Sequence, residues 1–287
     1  MSRVFDALQK SGLEQTGVEY PDMVSVATKV FESATGPHDY EQESVGGTRE
    51  EFPVVEICVP SASRLVFLTE PESLAAEKFR FLGVRMRQLQ QNRSIKRVLV
   101  TSSIAEEGKS LVSANLAGVL ARRKRQKVLL IEGDLRRPTI AHEFGLHNLN
   151  GLCEWLQTDS QTVTNVYYLE EAGFWLMPAG HPPSNPLELM QSTRLSALMN
   201  QLATVFDWII VDSPPLLPLA DTTEWARLTD GALLVVREGT TEKKPLQRGL
   251  EMLKKADLLG VVLNGSSNTN HRNYYQRYSA ARTDRQA

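Results

Sequence analysis

Arg97-Val-Leu-Val-Thr-Ser102-Ser103-Ile104-Ala-Glu-Glu107-Gly108-Lys109-Ser110-Leu111-Val-Ser-Ala-Asn-Leu-Ala-Gly-Val-Leu120 decides the fold. It opens as a short β-branched strand and closes with helical spacing of its apolar residues. Between them, Ser103 to Ser110 reads GxxxxGK[ST] with Ser103 in place of the first glycine. A loop of this kind, leading from a strand into a helix N-terminus, aims backbone N–H groups at phosphate oxygens. Gly108 allows the backbone to approach closely. Lys109 reaches the β/γ-phosphates, and the Ser110 hydroxyl faces Mg²⁺. Ser103, Glu107, Gly108, Lys109, Ser110 and Leu111 are therefore the nucleotide-binding candidates.

Outward from this loop, KVLLIEGD, DWIIVDSPP, DGALLVVRE and LGVVLN are further continuous apolar runs, and FWLMPAG at 174–180 is a candidate strand. Helical stretches separate most of them, around 187–204 and 241–257. This alternation predicts an α/β domain over 94–265, a mostly parallel sheet with helices on both faces. Two carboxylate groups close strands. Asp212 ends WIIVD, where a metal-holding aspartate belongs. Glu132 and Asp134 follow VLLI, at the sheet edge where open α/β sheets bind ligands. Either could position Mg²⁺ or accept a proton. The plainer alternatives are a turn aspartate and a solvated strand end with Arg–Asp pairs.

The chain has 287 residues, with 41% hydrophobic and 23% charged residues, enough to bury a sizeable core. Its net charge of −2 argues against a nucleic-acid binder. That figure is a cancellation: residues 1–62 carry −7 and the remainder +5. The acidic arm lacks a sustained apolar period and reads as disordered or as a short docking helix. No apolar run is long enough to cross a membrane, and the N-terminus has no secretory pattern. Cys58 and Cys153 stand alone, and the histidines show no metal spacing. A reducing cytoplasm is the default.

These three motifs together resemble the bacterial tyrosine kinases of the capsule and exopolysaccharide type. That family is similar to the MinD/ParA branch of P-loop ATPases. The loop Ser102 to Ser110 matches the family's first motif, and Asp212 to Pro215 its Walker B. Asp134 and Arg136 match apolar-Asp-x-Asp-x-Arg, with Glu132 replacing the first aspartate. The resemblance covers about residues 64–280 and implies a P-loop NTPase fold that uses ATP and Mg²⁺. Lys109, Glu132, Asp134 and Asp212 would be catalytic. Ser110, Asp212 and Asp134 would hold the metal, and Glu132 would take the family's base or metal position. Asn264, closing LGVVLN, would contact adenine.

Three of the chain's seven tyrosines, Tyr274, Tyr275 and Tyr278, lie within five residues of a polar tail at 266–287. The family ends in such a cluster, phosphorylated by a neighbouring subunit. The plainer reading packs these rings on the domain. A helix is expected over 70–91, after which the resemblance implies assembly through Glu77 and Arg80. The third position of that assembly motif is Gly83. The plainer reading there is a solvated charged face. The resemblance also implies a homo-oligomer and a separate membrane polysaccharide co-polymerase as activator. It would hold the kinase at the inner face of the plasma membrane. The competing reading is a MinD/ParA-like ATPase switch. Its signature lysine would fall on Ile104, and the chain shows no C-terminal basic amphipathic helix.

Overall fold

A computed structural model describes residues 52–122, 126–160, 162–217 and 221–266. Tyr274, Tyr275 and Tyr278 lie outside the described residues, as does the arm up to residue 51.

The described strands are β1 (Val54–Val55), β2 (Arg97–Ser102), β3 (Val128–Glu132), β4 (Tyr167–Leu169), β5 (Phe174–Met177), β6 (Trp208–Asp212), β7 (Gly231–Arg237) and β8 (Leu258–Asn264). They form one sheet in the order β1-β4-β5-β3-β6-β2-β7-β8. Every neighbouring pair is parallel except β4 and β5, which form an antiparallel hairpin. The predicted strands are all present, and β1 and β4 join them.

The α-helices among the described residues are α1 (Val66–Thr69), α2 (Leu74–Asn92), α3 (Lys109–Ala121), α4 (Ile140–Glu143), α5 (Leu152–Gln157), α6 (Pro186–Met190), α7 (Thr193–Val205), α8 (Asp221–Leu228) and α9 (Lys243–Met252). The central strands β3 and β6 are buried along their whole length, and β2 from Val98 on, because helices cover both faces. Val98, Val100, Val128, Leu130 and Ile210 meet Val112, Leu116 and Leu120 of α3 in one apolar cluster. The alternate residues Leu99, Leu129, Ile209 and Val211 face the other side and are equally buried.

Two boundaries differ from the sequence expectation. Residues 52–62 belong to the folded body rather than to an acidic arm. Val54 and Val55 pair with β4, Phe52 stacks on Phe206 at 6.3 Å, and Cys58 donates its N–H to the Phe144 carbonyl. The short apolar run Val54, Val55, Ile57, Val59 explains this, and the surrounding acids mask it in composition. Helix α2 begins at Leu74 rather than 70, because the Ser73 hydroxyl accepts the Ala76 N–H and caps it there. On α2, Glu77 and Arg80 pair with each other at 2.8 Å, and Arg80 also donates to the Pro71 carbonyl.

Candidate functional site

Four strands end at one edge around the loop 103–108. Sheet order decides the geometry: β6 lies between β3 and β2, so Glu132 and Asp212 become register partners across adjacent strands. Helix α3 rises from the loop beside them. Gly108 precedes it at φ +92, a conformation that L side chains rarely adopt. Glu106 also has positive φ, at +65.

Lys109 reaches back over the loop. Its Nζ stands 3.0 Å from Asp134 Oδ2 and 4.0 Å from Asp212 Oδ2. The Ser110 hydroxyl donates to Asp212 Oδ2 at 2.7 Å, and the Ser113 hydroxyl to Oδ1 at 3.1 Å. Four of the expected residues, Lys109, Ser110, Asp134 and Asp212, thus form one connected cluster. The two carboxylates and a hydroxyl are hard oxygen donors of the kind Mg²⁺ takes, so the residues present fit that ion.

Glu132 turns both carboxylate oxygens to backbone N–H groups. Its Oε1 accepts the Ile140 N–H at 2.5 Å and its Oε2 the Ala179 N–H at 3.1 Å, with the residue 1% exposed. Asn264 reaches the phosphate loop. Its amide donates to the Glu107 carbonyl at 2.9 Å, and its own carbonyl accepts the Gly265 N–H. Glu107 is wholly buried, and its carboxylate accepts the Ile104 N–H at 2.9 Å and the Thr241 hydroxyl. Its side chain therefore shapes the loop from within. Ser103 is buried with a hydroxyl that lacks a partner, against Gly249, and Leu111 follows on the first turn of α3.

Several site-shaping residues escaped sequence reasoning. Arg237 donates to the Glu106 carbonyl at 3.2 Å, and Thr241 binds Glu107. They come from the end of β7 and the turn after it, more than a hundred residues from the loop, where no local pattern marks them. Ser113 was legible in principle, one helical turn beyond Ser110 and on the same face. Asp221 is buried and holds Arg136 with two hydrogen bonds, at 2.6 and 3.2 Å. Asp230 lies at the opposite end of the strands, bound to Arg97.

Burial drives the charges of this site. It pushes the Asp212 carboxyl above the ordinary aspartate value, against the opposing pull of Lys109, Ser110 and Ser113. It raises Glu132 likewise, despite the backbone N–H groups of Ala179 and Ile140. Burial works to lower Lys109, but Asp212 and Asp134 outweigh it and hold the ammonium above the usual lysine value.

A carboxyl whose value is raised binds more protons folded than unfolded. Its stabilising contribution is complete below the ordinary carboxylate range and is lost as pH rises through the raised value. The Lys109 contribution, also raised, persists through neutrality. Asp212 and Glu132 are therefore expected to favour the ligand-free fold more at pH 5.5 than at pH 7.5, against Glu154 and Asp230, whose lowered values act in the opposite sense. Asp212→Asn is expected to raise stability by about 1–2 kcal/mol at pH 7.5 and to flatten that dependence. Thermal unfolding at the two pH values checks this; a lower midpoint for Asp212→Asn at pH 7.5 contradicts it.

The chain is similar to known proteins. Tyrosine-protein kinase YwqD of Bacillus subtilis is 35% identical over 212 residues, 73% of this chain and 89% of that protein. The chain belongs to the bacterial tyrosine-protein kinases. The succinoglycan biosynthesis transport protein ExoP of Rhizobium meliloti is 30% identical over 207 residues, and this kinase chain spans 26% of that protein's length. The solved BceF tyrosine kinase domain superposes with a TM-score of 0.64 at 27% identity, covering 84% of this chain and 88% of that one. No family model matches the chain. The kinase has no helix, among its described residues, long and apolar enough to cross a membrane.

Proposed function

We propose that this chain binds Mg·ATP at the loop 103–110 and transfers the γ-phosphoryl group to tyrosine hydroxyls, chiefly Tyr274, Tyr275 and Tyr278 of a neighbouring copy. The observation that carries this reading is the Lys109 ammonium set between Asp134 and Asp212, with Ser110 bound to Asp212, at the end of a phosphate-binding loop.

Ser110, Asp212 and Asp134 would hold Mg²⁺. When bound, it supplies charge neutralisation at the β- and γ-phosphate oxygens. The loop N–H groups and Lys109 orient the γ-phosphate and stabilise charge spreading onto its oxygens. The attacking phenolic oxygen forms a new O–P bond as the bond to the ADP oxygen breaks. Its proton passes to Asp134, the most exposed of the three carboxylates. A loose transition state demands little of that base, so positioning carries most of the rate.

ExoP, by its name, acts in succinoglycan biosynthesis and transport. By analogy, the present kinase regulates exopolysaccharide biosynthesis and export. A membrane polysaccharide co-polymerase on a separate chain would activate it and hold it at the inner membrane face. Its assembly would run through Glu77 and Arg80 of α2. This reading divides the chain into an acidic N-terminal arm, expected over 1–62 with its last residues from 52 on packed against the folded body, a kinase domain expected over 63–265 and a tyrosine-bearing tail at 266–287.

Incubation with Mg·ATP followed by phosphosite mapping tests the reading. Phosphate is expected on the three tail tyrosines, and their triple replacement by phenylalanine should remove most of the phosphotyrosine. Each phosphate adds about −1.5 to −2 charge to a tail that carries Arg272, Arg277, Arg282 and Arg285. Phosphate release without phosphotyrosine would instead point to an ATPase switch.

A further inference from the structure

Three carboxylates crowd the phosphate site, and they are not equivalent. Asp134 and Asp212 face Lys109. Glu132 directs both of its oxygens at backbone N–H groups.

One of those donors, Ile140, is the first residue of α4. The residue before it, Thr139, makes no side-chain capping bond there. Glu132 thus supplies the acceptor that the helix start lacks. Its other donor, Ala179, lies just past the end of β5.

The consequence is topological. Glu132 ends β3, and Ile140 opens α4, so this side chain ties together the two ends of the loop 133–139. That loop carries Asp134, whose Oδ1 accepts the Arg137 N–H at 3.1 Å while Oδ2 faces Lys109. The loop is held elsewhere too: the Trp225 indole N–H donates to the Gly133 carbonyl, and Arg136 binds Asp221. Glu132 fastens the end that these contacts leave open.

We propose that Glu132 is a positioning residue. It closes the loop 133–139 onto the start of α4 and the end of β5, and so sets Asp134 as an oxygen donor toward magnesium. It does not receive the proton of the acceptor hydroxyl. This rests on the phosphotransfer reading of the same site, but its test does not require tyrosine phosphorylation to be observed.

Glu132→Gln places an amide N–H₂ where one of two backbone donors needs an acceptor. Glu132→Asp keeps the charge and draws the carboxylate back by one methylene. Leu198→Ala, in the buried face of α7, serves as a control that lowers stability away from the loop.

Three quantities are measured for each full-length protein. They are the melting midpoint, the Mg²⁺ concentration that half-saturates binding of a fluorescent ADP analogue, and the phosphotyrosine rate at limiting and saturating Mg²⁺. Loss of a residue that orients a metal donor weakens the metal about 10–100-fold. Both Glu132 variants are therefore expected to need at least about 10-fold more Mg²⁺ and to recover most of their phosphorylation at saturation.

A general base gives a different pattern. Glu132→Gln would lose about 10²–10⁴-fold in rate at every Mg²⁺ concentration, with Mg²⁺ half-saturation unchanged. That result overturns the proposal. So does a pattern matching Leu198→Ala, with a lower melting midpoint and unchanged Mg²⁺ dependence. If the wild type itself forms no phosphotyrosine, the proposed function falls, while the Mg²⁺ titration of nucleotide binding still decides the role of Glu132.

Discussion

Lys109→Ala should reduce phosphotransfer by about 10³-fold or more, the scale for removing a preorganised group that stabilises transition-state charge. The same change should destabilise the ligand-free protein. Among the described residues, Lys109 pairs with both Asp134 and Asp212, and its side chain is only 13% exposed. Removing one partner of a buried ion pair costs about 3–5 kcal/mol, because the other charge stays buried and uncompensated. A partial recovery follows from this reasoning. Adding Asp212→Asn to Lys109→Ala removes one of the stranded charges and should restore much of the melting midpoint while leaving the protein inactive. Thermal unfolding and phosphotyrosine detection on the two variants read both effects. Retained activity in Lys109→Ala would remove this lysine from the site, and a double variant less stable than Lys109→Ala would refute the charge argument.

Gly108→Ala should be nearly as damaging to nucleotide binding, for two separable reasons. At φ +92 an L side chain is strained by about 1–2 kcal/mol. In addition, an added Cβ would collide with the Asn264 amide, which holds the Glu107 carbonyl. The loop would have to move off Asn264 to accept the methyl group, and its N–H groups would lose their common aim. An ADP affinity loss of roughly 100-fold is expected, comparable to losing about 2.7 kcal/mol of binding. Asn264→Ala relieves the collision but not the backbone strain. The double variant should therefore recover part of the affinity lost by Gly108→Ala alone. Calorimetric titration with Mg·ADP measures each step. A fully recovered double variant would mean that the backbone strain is unimportant, and no recovery would mean that the Asn264 contact is.

Much of this was readable in advance. The phosphate loop, the strands at β2, β3, β6, β7 and β8, and Lys109, Ser110 and Asp212 as separate candidates follow from patterns that are local. Apolar runs of strand length and a GK[ST] turn specify their own backbone. Glu132 was found as a residue but not in its present posture. Its partners Ile140 and Ala179 lie eight and forty-seven residues away. Asn264 was likewise recognised at a strand end and met the loop carbonyl of Glu107, 157 residues distant. Arg237 and Thr241 had no signal at all, since a polar residue at a strand end or in a turn looks the same whether it touches solvent or a loop.

Sequence alone determined that a parallel α/β sheet would present a phosphate loop and strand-terminal carboxylates on one edge. Hydrophobic period and glycine placement act over a few residues, so they can be read in one dimension. The tertiary structure alone decided which carboxylates face Lys109. That depended on β6 inserting between β3 and β2, and on α4 starting where the Glu132 oxygen could reach it. Strand order and long-range hydrogen bonds are settled by packing many distant segments at once, and only the folded chain contains that information.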